Sequence, residues 1–237
     1  MHQWQNARHA GRLQITLSNA DQWQLSERVL FIDGEAIVID KPAGLAVDRP
    51  KAGGDSLSAR IDELKFGFQR PPVPVHRLDR DTSGCLLLAR HPKARARFGA
   101  TFEAGKVEKL YIAVVDGEIE GEGVVDLPLA KISSVEEGWR MVADERGKRA
   151  LTRWRALRSQ GGRTLVEFRP ETGRTHQIRA HARYGLDAAI IGDPVYGGGR
   201  EQMLLHAVRL VVPREGKDTI DVTAPVPEQF GEWRDGA

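Results

Sequence analysis

The chain has 237 residues, 41% of them hydrophobic, enough to build a real core in one large domain or two small ones. Basic and acidic side chains nearly balance, Lys+Arg 35 against Asp+Glu 33, so no global field marks the chain as a nucleic-acid binder. The single cysteine, Cys85, excludes an internal disulfide framework and fits a reducing compartment; with no apolar run of about 18 residues and no signal-peptide pattern, a soluble, cytoplasmic protein without a membrane partner is expected.

In chain order, Val29–Ile32 and Ala36–Ile39 read as short strands joined by a turn at Asp33-Gly34, and a Pro-Gly turn follows at Lys41–Gly44. The stretch DRPKAGGDSLSARID is expected to be a mobile loop leading into a short helix near Leu57–Leu64. PPVPV holds the backbone extended ahead of HRLDRDTSG, residues 76–84, so that motif is approached along a stiff segment. CLLLAR has the apolar continuity of a buried strand, which makes Cys85 a small core residue. HPKARARFGATFEAGK carries helix punctuation, with Pro92 early, Phe98 and Phe102 four apart and Gly105 at the end.

KLYIAVVDG returns to a strand, and LTRWRALR with RTLVEFRP alternates around SQGG as an antiparallel hairpin. TGRTHQIRAHARYGL predicts a helix N-capped by Thr175 and ending at Gly185. Strands dominate and helices punctuate them singly, which predicts an α+β fold with a mixed, mainly antiparallel sheet and flanking helices. Arginines crowd the stretch from Arg140 to Arg183. Such a stretch is either a face for planar contact with phosphate or a solvated, salt-bridged surface.

In HRLDRDTSG, Asp79 sits between Arg77 and Arg80. Turn aspartates usually accept nearby backbone N–H groups, and Asp81-Thr82-Ser83-Gly84 is a good turn sequence that gives Asp81 that job. Asp79 is different, because flanking guanidinium groups favour its ionised form. At about 4 Å near a surface such a pair interacts by roughly 4 kcal/mol before desolvation. The arrangement suits a carboxylate that acts as nucleophile or base rather than as proton donor.

DKPAGL, HRLDRDTSG, KLYIAVVDG, TGRTHQIRAH and IGDPVYGG, in that order between Val29 and Val212, resemble the RluA-type family of RNA pseudouridine synthases. The resemblance implies the pseudouridine synthase fold, a long mixed sheet whose central cleft binds RNA. It also implies the isomerisation of a uridine within ribosomal or transfer RNA, needing neither cofactor nor metal nor an obligatory protein partner. It assigns Asp79 as the essential aspartate, Tyr111 as the active-site tyrosine and Arg179 as the basic partner of the aspartate. Arg77 matches the side chain that fills the space left by the flipped nucleotide. Arg80, Lys109, Arg174 and His176 join it in the RNA-binding set.

His176, Arg179 and Arg183 are expected to project toward one side of the helix, and the helix start at Thr175-His176 to favour phosphate. His176, His181 and Cys85 invite a metal reading, but two histidines five apart on a helix point different ways. IGDPVYGG is read as a turn beside the cleft. Many relatives carry a small RNA-binding domain before the catalytic one. Residues 1–28 are expected to be an extension too short for it, and 29–237 the catalytic domain. AVDRP follows KPAGL where relatives often have a histidine before the proline. Two other functions compete: an idle RNA-binding or RNA-chaperone module of the same fold, and a glycosidase-like hydrolase with Asp81 as proton donor.

Overall fold

The computed structural model describes residues 23–50, 53–134, 138–199 and 201–236. Most of the expected N-terminal extension lies outside the described residues, as do Lys51 and Ala52 of the Gly-rich loop. Strands β1 (Val29–Ile32) and β2 (Ala36–Lys41) form the expected hairpin. Asp33 closes its turn, with Oδ1 accepting the N–H groups of Glu35 and Ala36 at 2.8 Å each. Ser56 caps α1 (Leu57–Arg60), which continues as a 3-10 turn over Ile61–Leu64. The short β3 (Val73–Pro74) leads through the HRLD loop into β4 (Ser83–Ala89). In α2 (Pro92–Glu103) Pro92 occupies the first turn and His91 Nδ1 accepts the Ala94 N–H, two local reasons for the helix to start there.

After β5 (Glu108–Asp116) come β6 (Glu122–Asp126), β7 (Leu129–Ser134) and β8 (Gly138–Ala143). The hairpin of β9 (Leu151–Gln160) and β10 (Arg163–Pro170) turns at Gly161-Gly162, both at positive φ, as the tight turns that match strand twist require. Helix α3 (Gln177–Gly185) and strands β11 (Leu205–Val212) and β12 (Ile220–Thr223) complete the fold, before a C-terminal 3-10 segment at Glu228–Gly236. The main sheet runs β1-β2-β4-β11-β5-β10-β9-β6, with β3 on β4 and β12 on β11; β7 and β8 pair separately. Among the described strands only β4 and β11 pair in parallel, so the sheet is mixed and mainly antiparallel, as its sequence predicts.

Burial explains the composition of the strands. Cys85, Leu87 and Ala89 of β4 face a core shared with Ala94 and Phe98 of α2, while Leu86 and Leu88 face a second core with Leu57, Leu64 and Leu78. A strand covered on both faces has to be apolar at every position. Phe168 and Val166 of β10 pack under Ile178 and Ala182 of α3, and Phe230 and Trp233 cover the opposite face of β5. Helix α3 is also covered from outside, where Ala180 meets Leu129, Met141 and Tyr196. These layers place α3 over β5 and β10 of the sheet.

Two local expectations differ. The turn in the opening motif is Asp79–Thr82, closed by the Thr82 N–H on the Asp79 carbonyl at 3.2 Å, and Ser83-Gly84 already belong to β4. The cap of α3 is His176, in the left-handed region at φ 51, rather than Thr175. No side chain caps the helix; Gln177 instead ties the preceding turn to it, its Oε1 accepting the Arg174 N–H at 2.9 Å and the Thr172 hydroxyl at 2.7 Å.

Candidate active site

A cleft of about 620 Å³ opens where the HRLD loop, β5, the turn after β10 and the start of α3 meet. Asp79, Tyr111 and Arg179, the three residues expected to carry chemistry, all line it, together with Arg77, Lys109, Arg174 and His176. Its dimensions suit a nucleobase with its sugar.

Asp79 is held by backbone and side chain at once. Its carbonyl closes the turn, and its Oδ2 accepts a hydrogen bond from Arg179 Nη1 at 3.0 Å, across 100 residues of sequence. The carboxylate keeps 22% of its surface, so it faces the cleft and not the core. Arg179 is nearly buried and makes a second, tighter pair. Its Nε and Nη2 each donate at 2.7 Å to the two oxygens of Asp193, a fully buried carboxylate in the GDPVYGG turn. Burial works against the Arg179 charge, but the carboxylates of Asp193 and Asp79 more than offset it and raise its pKa above the usual value. The aspartate therefore always meets a cation.

The tyrosine and the histidine complete the floor and one wall. Tyr111 packs on the core below the cleft, and burial, with the Asp79 charge adding to it, pushes its hydroxyl well above the ordinary value. It is a neutral phenol at pH 7, able to lend a face to a base and a proton to a neighbour. His176 has a side chain only 9% exposed, with Nε2 at 3.8 Å from Asp79 Oδ2 and Nδ1 at 3.3 Å from the Tyr196 hydroxyl. The Trp139 ring of β8 lies against it, tilted by 32° with centroids 4.8 Å apart. Burial lowers its pKa, with Asp79 opposing, so it is a neutral imidazole in the site and not the open phosphate contact expected of a helix start.

The basic residues divide. Arg77 lies at the mouth of the cleft, 69% exposed, and pairs at 3.3 Å with Asp48 of the AVDRP loop rather than with Asp79. Arg80 reaches Asp81 at 3.5 Å, is 70% exposed and does not line the cleft. Arg174 donates from Nε to the Arg149 carbonyl at 2.9 Å, and Lys109 from Nζ to the Thr172 carbonyl at 3.3 Å. Arg183 pairs with Asp187 on the surface and is not among the residues lining the cleft, where His176 and Arg179 are. Further along the arginine-rich stretch, Arg153 meets Glu171, Arg155 and Arg169 share Glu167, and Arg163 meets Glu201. For these residues the salt-bridged reading holds.

The family model described as RNA pseudouridylate synthase matches residues 35–184, the span that supplies Asp79, Tyr111 and Arg179. The chain belongs to that family. It is similar to an uncharacterized RNA pseudouridine synthase of Zymomonas mobilis, 54% identical over 211 residues that cover 87% of this chain and 96% of that one. It is also similar to ribosomal large subunit pseudouridine synthase D of the same organism, 34% identical over 226 residues, covering 85% and 70%. Among solved structures, human RNA pseudouridylate synthase domain containing 4 superposes with a TM-score of 0.72 at 27% identity, covering 87% and 91%. The pseudouridine synthase is thus an isomerase acting on RNA.

Several residues of this synthase escaped the sequence reading. From its sequence Asp193 is only part of a turn. Lys41, in KPAGL, is fully buried, and its Nζ donates to the carbonyls of Pro42 and Leu45 at 2.8 Å and of Arg80 at 3.0 Å. It ties the KPAGL turn to the HRLD loop, and burial, opposed by Asp81 and Asp79, brings its pKa down to about 7. His76 stacks on Phe102 and accepts the Leu87 N–H on Nε2 at 3.0 Å, fixing the loop against β4.

Proposed function

We propose that this synthase converts uridines within ribosomal or transfer RNA to pseudouridine, in the cytoplasm and without a cofactor, using residues 29–237 as one catalytic unit. Ribosomal RNA is the favoured substrate, since relatives at 34% and 35% identity bear the name ribosomal large subunit pseudouridine synthase D. The observation that carries the reading is the Asp79–Arg179 bond at 3.0 Å in a cleft also lined by Tyr111. The target uridine leaves its stack, which costs a few kcal/mol, and Arg77 moves from its exposed pair with Asp48 into the vacated space. Such a pair is worth about 0–1 kcal/mol, so its loss hardly opposes the move.

Asp79 acts on the ribose, by attack on the anomeric carbon or by removal of the neighbouring 2′ proton. The N-glycosidic bond breaks with its electron pair passing to N1, which takes up a proton; the freed uracil turns against Tyr111, and its C5 bonds to the anomeric carbon as the bond from Asp79 to that carbon breaks or, in the second route, as the 2′ proton is returned. Loss of the C5 proton, with the Tyr111 hydroxyl taking part, restores the aromatic ring. The test is to map pseudouridines in total RNA from cells with and without the gene, by carbodiimide-dependent stops in reverse transcription. Loss of discrete stops supports the reading. An unchanged map, or the release of free uracil by the purified protein, contradicts it.

A further inference from the structure

Asp193 has no part in the chemistry derived above, yet it is the most completely buried acid near the cleft, at 0% exposure. It grips Arg179 with both oxygens, Nε on Oδ2 and Nη2 on Oδ1, each at 2.7 Å. This fork-to-fork pairing fixes the plane of the guanidinium as well as its position. The grip is itself fixed, because Asp193 Oδ1 also accepts the N–H groups of Val195 at 2.8 Å and Tyr196 at 3.1 Å. Tyr196 is anchored in turn: its hydroxyl accepts the Met141 N–H and donates to the Met141 carbonyl, at 3.0 and 3.1 Å. The carboxylate cannot rotate without breaking backbone contacts.

Held side-on by Asp193 through Nε and Nη2, Arg179 presents Nη1 to Asp79 and makes a single bond to Oδ2. Among the described residues no hydrogen bond reaches Asp79 Oδ1. An arginine without Asp193 would turn its fork onto Asp79 and cover both oxygens, since that is the preferred geometry of the pair. The charge count changes as well. Asp193, Arg179 and Asp79 together carry one net negative charge, whereas Arg179 and Asp79 alone would be neutral and the carboxylate a weaker nucleophile and base.

We propose that Asp193 is a positioning residue for the isomerisation, which fixes the plane and place of the Arg179 guanidinium so that Asp79 is held by one oxygen and reacts with the other. The proposal rests on the reading of Asp79 as the reacting carboxylate. Its role parallels the third member of other nucleophile–base arrays, which orients a partner and touches no substrate.

The experiment compares full-length wild type, Asp193→Asn and Asp193→Glu in single turnover at saturating RNA, using total RNA from cells lacking the gene. Melting temperature, RNA affinity and the pH–rate profile are measured for each. Asp193→Asn keeps the acceptor for Val195 and Tyr196 but loses the charge. It should bind RNA as wild type does and slow the chemical step by roughly tenfold to a hundredfold, the loss expected from a misplaced reacting group. Its acid limb should move to lower pH, because the Arg179 charge then acts on Asp79 alone. Asp193→Glu keeps the charge with a displaced fork, so its rate should fall between the two with the acid limb in place. It carries the test by itself if Asp193→Asn fails to fold.

A folded variant of either kind running at the wild-type rate overturns the proposal. So does a loss confined to RNA affinity, or an Asp193→Glu slower than Asp193→Asn. A wild type that forms no pseudouridine, or an Asp79→Asn that forms it at full rate, would instead retract the underlying reading of Asp79.

Discussion

Gly84 ends the HRLDRDTSG motif and sits where β4 meets β11 in parallel, opposite Ala207, while pairing with Lys41 on its other side. Its φ is 108°, and a Cβ built there would lie 2.3 Å from the Ala207 carbonyl oxygen and 2.8 Å from the Ala207 nitrogen. Both obstacles are backbone, so neither yields by a side-chain rotation. Gly84→Ala therefore combines a disfavoured φ, about 1–3 kcal/mol, with overpacking of a closed junction, about 1–3 kcal/mol. The sum, about 2–6 kcal/mol, is a large part of the 5–15 kcal/mol that holds a typical domain folded. At roughly 2–4 °C per kcal/mol for a chain of this size, the melting temperature should drop on the order of 10 °C. Gly34→Ala is the control, since a Cβ there meets nothing within 4 Å. Calorimetry of both variants decides the matter. If Gly84→Ala melts with the wild type, the close approach of β4 to β11 is not as described and the anchoring of the HRLD loop must be rethought.

Three further outcomes follow from the site and its supports. His206 is buried beside Ser83, 2.9 Å from its hydroxyl, and burial takes its pKa down to about 4. A folded value below the unfolded one, about 6.5, means that the unfolded chain takes up the proton first. The contribution is present above pH 6.5 and is lost as pH falls toward 4, up to about 3 kcal/mol at 1.36 kcal/mol per unit. Urea midpoints at pH 7 and 4.5 should differ less in His206→Gln than in wild type; equal differences would dismiss His206 as the source. Arg77→Ala, which loses only an exposed pair, should change stability by less than about 0.5 kcal/mol yet slow modification of structured RNA. A fall in melting temperature without loss of rate would reverse that assignment. Arg174→Ala should reduce the salt slope of RNA affinity by about one, and an unchanged slope in a filter-binding series would remove Arg174 from the RNA contacts.

What the sequence made legible was whatever is decided locally. The β1-β2 hairpin, β4, α2, β5 and the β9-β10 hairpin were expected and are present, because turn residues and apolar runs settle them within a few positions. Strands β6, β7, β8, β11 and β12 were not anticipated. The run LHAVRLVV of β11 carries the same apolar signal as β4, whereas β7 and β8 are mostly exposed, pair with each other apart from the main sheet and bury little beyond Leu129 and Met141. Asp79, Tyr111 and Arg179 were reached through ordered motifs, and their meeting depends on the parallel junction and on α3 lying over the sheet.

Asp193 and Lys41 stayed hidden for a shared reason. Each has a sufficient local explanation, the aspartate as a turn acceptor for Val195 and Tyr196, the lysine as a polar residue ahead of a Pro-Gly turn. Their long-range partners, Arg179 and the Arg80 carbonyl, appear only once the chain is folded. The departure of the α3 cap from Thr175 has a similar origin, because Gln177 is recruited by Leu151 and Thr152 of β9 as well as by its own turn.

The measurement that bears most directly on the account is modification of RNA by Asp79→Asn. The substitution keeps the volume, and Arg179 stays held by Asp193, so the variant should fold and bind RNA like wild type while forming no pseudouridine. Pseudouridine formed by that variant at the wild-type rate would contradict the account at its centre.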